Sequence, residues 1–141
     1  MRRPFALALI VLASVAMQAC NAQPAPPPAR SYETGKLMIG GEAFAVSEVA
    51  DARAMPDINK QVGIMVSLNP AGAKRLEGIT TSLVGKPMIV TLDGKPLSAE
   101  LIRKPVAGGV IEIPGRWSLD AAEALARRIS GKDPLPDDLG M

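Results

Sequence analysis

The sequence has no histidine and one cysteine in 141 residues. The first absence removes the usual general base at neutral pH and the commonest metal ligand. Ser/His and Cys/His arrangements and His-based metal sites are excluded with it. No catalytic residue, metal, cofactor or small-molecule substrate is therefore expected. The second leaves Cys20 with no internal disulfide partner, so a lone cysteine in an exported chain asks for another use. Aromatics stand at 3%. Past residue 19 they are Tyr32, Phe44 and Trp117, thin for a sugar site or a base-stacking surface. Neither sign of charge is in excess: there are 16 basic and 14 acidic residues, and setting aside Arg2 and Arg3 leaves 14 of each. Such a balance gives no case, taken over the whole chain, for nucleic acid or an anionic membrane face.

Long apolar runs are scarce too. The one present, Phe5 to Met17, follows Arg2 and Arg3. As a helix it reaches about 20 Å, short of the ~20 residues that span a bilayer. Residues 1–19 are therefore expected to be a secretory leader. Ala16-Met17-Gln18-Ala19-Cys20 is similar to a bacterial lipobox, which implies acylation of Cys20 as the mature N-terminus. Ordinary cleavage after Ala22 is the alternative, and Arg2-Arg3-Pro4-Phe5 brushes the twin-arginine pattern. The expected location is the periplasmic side of a bacterial envelope, held by a lipid anchor. Asn21 is no strong inner-membrane retention signal, which leaves the outer membrane open.

What the chain does contain is proline and turn chemistry. NAQPAPPPAR favours extended polyproline II, so residues 20–35 read as a semi-rigid tether. The remaining residues, 36–139, are expected to form one domain. Leu37-Met38-Ile39 and Ala43-Phe44-Ala45-Val46 flank Gly40-Gly41 as a hairpin or bent strand. Ser47 is expected to cap a short helix over Glu48–Met55, ended by Pro56. In Gln61–Leu68, Val62, Ile64, Val66 and Leu68 share one face of a strand. Asn69-Pro70 starts a helix that runs to Val84, with Gly85 as its left-handed cap. Gly72 and Gly78 weaken that helix unless it approaches a sheet closely.

Met88, Val90 and Leu92 alternate with Ile89 and Thr91, and Asp93-Gly94 is a two-residue hairpin turn. The return, Pro96–Ile102, is expected at an edge because Pro96 and Pro105 lack amide donors. Val110–Ile113 is a further strand, ended at Pro114-Gly115. Ser118 caps a last helix with Leu119, Ala122, Leu125, Ala126 and Ile129 on one stripe and Gly131 beyond it. Tight hairpins and two amphipathic helices imply an α+β, two-layer sandwich: a mainly antiparallel sheet with both helices on one face.

Residues 84–129, VGKPMIVTLDGKPLSAELIRKPVAGGVIEIPGRWSLDAAEALARRI, together with Ala52-Arg53-Ala54, Asp57 and Asn69-Pro70-Ala71-Gly72-Ala73-Lys74, form an ordered set. The set resembles the head subdomain of the large periplasmic domain of SecD, a subunit of the SecDF protein-export machinery. The resemblance covers residues 42–139. It implies the head fold and a role near unfolded or translocating polypeptide. The family's transmembrane helices and intramembrane acids have no counterpart here, and Glu100 stands where the family has proline after Ser-Ala. Energy coupling is therefore not expected to carry over.

The expected function is a lipid-anchored, non-enzymatic envelope domain that binds protein or peptide. Candidate contact residues are Gly108, Gly109, Arg116 and Trp117, and the edge at 96–102 could accept an extended segment. Met38, Met55, Met65 and Met88 are candidates for an adaptable surface. For Met65 and Met88 core filling is the stronger reading. The alternative is a structural adaptor docking on a folded partner with no export role. Asp137-Asp138 reads as a solvated acidic pair in the tail.

Overall fold

Period-two alternation does most of the folding work. The computed structural model describes residue 25 and residues 27–137; the leader, Cys20 and Asp138 lie outside them. Chain order begins with the strands β1 (Leu37–Ile39), β2 (Glu42–Phe44), β3 (Val49–Pro56) and β4 (Val62–Leu68). Helix α1 (Pro70–Ser82) follows, then β5 (Pro87–Leu92), β6 (Lys95–Leu101), β7 (Val110–Trp117) and helix α2 (Leu119–Ser130). The fold is α+β, with two antiparallel sheets and two helices. The strands that the sequence suggests as one sheet divide into two, ordered β2-β1-β5-β6 and β3-β4-β7.

Val62, Ile64, Val66 and Leu68 of β4 are all buried, as are Met88, Val90 and Leu92 of β5. They join Leu76 and Ile79 of α1 and Ala122, Ala126 and Ile129 of α2 in one core cluster. Each fully buried Ile or Leu side chain contributes about 1.5–3 kcal/mol. The caps form as their residues dictate: Asn69 Oδ1 accepts from Gly72 N–H at 2.8 Å, and Ser118 Oγ from Ala121 N–H at 3.2 Å. Gly131, with φ +72°, closes α2 by donating its N–H to Arg127 O. Asp93 (φ +51°) and Gly94 (φ +78°) turn β5 into β6, both in the left-handed region that a type I′ turn requires. The Asp93 carboxylate also accepts from Lys36 N–H at 2.8 Å and pairs with Arg128. The turn is thereby fastened to the end of α2.

Four expectations fail, each for a physical reason. The helix expected over Glu48–Met55 is strand β3, preceded by a 3-10 turn at Val46–Glu48. Its alanines favour helix, but Ala52 and Ala54 pair with Val66 and Ile64 of β4, and that tertiary pairing wins. Strand β7 does not end at Pro114-Gly115. A register irregularity opposite Gly63 absorbs the proline, and pairing resumes at Val62↔Trp117. Helix α1 stops at Ser82, and Gly85, although at φ +79°, donates to Ile102 O instead of capping it. Leu119 leaves the buried stripe of α2, at 48% exposure.

The residues that lead into β1 are joined to those that follow α2. Ser31 forms an antiparallel bridge with Lys132, and Tyr32 N–H donates to Gly131 O at 2.9 Å. Tyr32 Oη donates to Asp133, which also accepts from Arg127 Nε at 2.9 Å. Residues 133–137 then lie along β3. Asp51, buried, accepts from Leu135 N–H at 2.9 Å and Arg53 Nε at 2.7 Å. Arg53 donates onward to Leu135 O and pairs with Asp137.

Candidate functional site

The two faces of β5 differ as the alternation requires. Met88 and Val90 point inward at 5% and 2% exposure, while Ile89 between them is 47% exposed. Met38 of β1 lies across from Thr91 in the same register, and Gly40 N–H donates to Ile89 O at 2.9 Å. Beyond β5, Pro87 faces Leu101 and Ile89 faces Ala99 on β6. The side of this sheet turned from the core is thus largely apolar, and among the described residues nothing covers it.

A groove of about 430 Å³ opens on it, lined by Met38, Gly40, Gly41, Leu83, Pro87, Ile89 and Thr91. Thr91 is the one polar side chain in that lining. A groove of this size lined almost wholly by apolar groups suits apolar side chains, which burial there would remove from water. Methionine at its floor suits irregular occupants, because the unbranched thioether repacks at low cost.

The far wall is braced. Gly40 and Leu83 also line a polar hollow of about 280 Å³ with Glu42, Lys74 and Arg75. Arg75 Nη1 donates to both Glu48 oxygens at 2.7 and 2.8 Å, and Nη2 reaches Glu42 at 3.2 Å and Ala43 O at 3.1 Å. Its guanidinium sits 4.4 Å from the centre of the Phe44 ring. The Arg75 hydrogen bonds, then the Ala45 N–H, hold the Glu48 carboxyl below the usual glutamate value and outweigh its partial burial. Arg75 is correspondingly raised, first by Glu48. This strut ties β2 and the 3-10 turn at Val46–Glu48 to α1, behind the Gly40-Gly41 end of the groove.

The residues singled out from sequence do not converge. Gly109 packs on α1: a Cβ there would come within 2.5 Å of Ala73 Cβ, and its carbonyl accepts from Leu68 N–H at 2.8 Å. Gly108 precedes it in open space. Arg116 is exposed at the other end of β7, about 25 Å away at ~3.3 Å per strand residue. Trp117 is part-buried, with its ring lying over Gly115. Of the methionines, Met88 is core, Met65 sits half-buried on the outer face beside Glu112, Met55 is exposed, and Met38 lines the groove. The edge position of β6 follows the sequence expectation. The groove itself had one sequence signal, the apolar Ile89 at a position whose neighbours point inward.

Among the described residues, no three His, Cys, Asp or Glu side chains are placed to hold a metal ion, and no helix is long and apolar enough to cross a membrane.

Comparison with known proteins bears on the whole of this framework. Residues 31–132 match the family described as SecDF, P1 head subdomain. The protein translocase subunit SecDF of Thermus thermophilus is 32% identical over 99 residues, covering 70% of this chain and 14% of that protein. The protein translocase subunit SecD of Dictyoglomus turgidum is 35% identical over 105 residues, covering 74% and 25%. A solved structure of SecDF, a membrane component that enhances protein export, superposes with a TM-score of 0.59 at 31% identity, over 66% of this chain and 42% of that one. SecDF in its super-membrane-facing form gives the same TM-score, over 68% and 13%. The chain spans a minor part of each relative's length. The matched stretch begins at Ser31 and ends at Lys132, the two residues bridged at the neck. The chain belongs to the SecDF P1 head subdomain family.

Proposed function

We propose that this chain is a non-enzymatic, lipid-anchored domain of the periplasmic side of the cell envelope, contacting polypeptides during or after export through the groove on the outer face of the first sheet. The exposure of Ile89 over an apolar groove of about 430 Å³ carries the reading. An unfolded exported chain offers apolar side chains that folded proteins bury, and the groove accepts them without chemistry. Family membership supports a link to protein export, since the relatives are translocase subunits. Cys20 supplies the anchor, with residues 21–30 as the spacer that lifts the head from the lipid.

The test is binding of a reduced, permanently unfolded exported protein to the full chain, followed by fluorescence anisotropy. Ile89→Asp and Met38→Asp are expected to weaken binding at least tenfold while the unfolding midpoint stays close to wild type. Equal binding by wild type and both variants would overturn the groove assignment. Mass spectrometry of the membrane-extracted protein tests the anchor. A diacylglyceryl adduct on Cys20, lost in Cys20→Ser, is expected; an unmodified N-terminus at Gln23 would refute it.

A further inference from the structure

The balanced total charge hides an uneven distribution. Every ion pair among the described residues uses Arg53, Arg75, Arg127 or Arg128 as its cation. Lys86, Arg103 and Lys104, like the other described lysines, are in none of them and are exposed. The backbone gathers them at one pole. Gly85 N–H donates to Ile102 O at 2.7 Å and Ile102 N–H to Lys86 O at 3.0 Å, setting Lys86 beside the start of the 103–105 loop. That loop is pinned in turn, because Val106 N–H donates to the buried Thr80 Oγ1 at 2.9 Å. The acid nearest in sequence, Glu100, lies across from the inward Met88 and lines a hollow with Glu112 and Pro114. It is in no ion pair with any of the three. Two large apolar side chains stand out beside the cations, Val84 at 46% and Leu101 at 55% exposure.

We infer that this pole docks on an anionic bilayer surface, with Lys86, Arg103 and Lys104 at the headgroups and Val84 and Leu101 entering the interface. The observations favour a bilayer over a folded protein. The cations are in no ion pair among the described residues and stand on long flexible stems, and the apolar side chains project beside them. Anionic lipid attracts such clusters without requiring complementary shape. None of the five residues lines the groove, though Leu101 belongs to the same open sheet face, opposite Pro87 of the lining. Together they place the groove mouth beside the membrane surface.

The full chain carrying Cys20→Ser and Leu101→Cys, labelled with an environment-sensitive dye, tests this on vesicles of phosphatidylcholine with and without phosphatidylglycerol. A blue shift is expected with phosphatidylglycerol and not without it. Replacing Lys86, Arg103 and Lys104 by Gln should raise the lipid concentration for half-maximal shift about 100-fold, at ~1 kcal/mol per cation near an anionic surface. A few hundred millimolar salt should do much of the same. A Val84→Cys label should respond alike, and a Met55→Cys label should not. Equal shifts on neutral vesicles, no effect of the triple substitution, no shift on either vesicle, or a shift only with unfolded polypeptide would each overturn the docking.

Discussion

The two sheets treat their outward sides differently. On the second, β3 carries Asp51 and Arg53, whose hydrogen bonds and ion pairs are satisfied by residues 135 and 137 of the chain's own tail. On the first, the corresponding positions are Met38, Ile89, Ala99 and Leu101, and nothing in the described chain lies over them. One face is closed along part of β3 by intramolecular polar contacts, with Met55 still exposed and Met65 half-buried on it, and the other is left apolar and open. A single apolar residue at a surface needs no explanation, but a contiguous groove does. The difference separates scaffold from site without appeal to any catalytic residue.

The largest effects should appear where the first sheet faces inward. Ile39→Ala and Leu37→Ala, both buried on that face, should each cost about 2–5 kcal/mol in denaturant unfolding. Ile89→Ala, on the outward side of the same sheet, should cost under about 1 kcal/mol, because much of its side chain is already in water. Equal losses for Ile39 and Ile89 would erase the distinction between the faces.

Gly109→Ala should follow, at about 1–3 kcal/mol, since φ is +70° and a Cβ there overlaps Ala73. Gly108→Ala meets no neighbour and carries the backbone strain alone, at φ +89°. A smaller penalty at 108 than at 109 would assign the second glycine to close packing of β7 on α1.

Much of this was legible because its signals are local. Asn69-Pro70, Ser118 with Gly131, and Asp93-Gly94 each define their own backbone within four or so residues, and β4 and β5 announce their faces by alternation. Strand β3 was not legible, because VADARAM is locally helical and only β4 makes it a strand. The split into two sheets depends on β1 pairing with β5 some fifty residues later. The groove was hidden for the same reason: Met38, Leu83 and Ile89 meet only after that pairing. Asp93 was legible as a turn residue, but its bonds to Lys36 and Arg128 were not.

Next in size is the clasp on the closed face. Arg53→Ala leaves the buried Asp51 with the Leu135 amide as its remaining partner and should cost about 1–3 kcal/mol. Hydrogen exchange should quicken at Leu135 more than in α2. Unchanged protection there would mean that the tail is held by other contacts.

The smallest effect is in the pH dependence. Glu48 is lowered from 4.5 by Arg75 and then Ala45, and Asp133 is lowered from 3.8 by Arg127 and then Tyr32. Folded values below unfolded ones mean stabilisation that is whole above those ordinary values and is lost as pH falls through the lowered ones. Asp133 is solvent-screened and Glu48, though partly buried, pairs with a half-exposed Arg75, so the change should be slight. Glu48→Gln should flatten the acid limb of the stability profile and leave β2 tied to α1 by the remaining Arg75 bonds. An acid limb identical in wild type and variant would remove Glu48 from the account.

The central claim is tested most directly by placing a photo-crosslinking residue at Ile89, and separately at Met55 on the outward side of the second sheet, during export in living cells. Adducts with exported polypeptides at 89 and few at 55 are the expected result. Equal yields at the two positions, or none at 89, would contradict it.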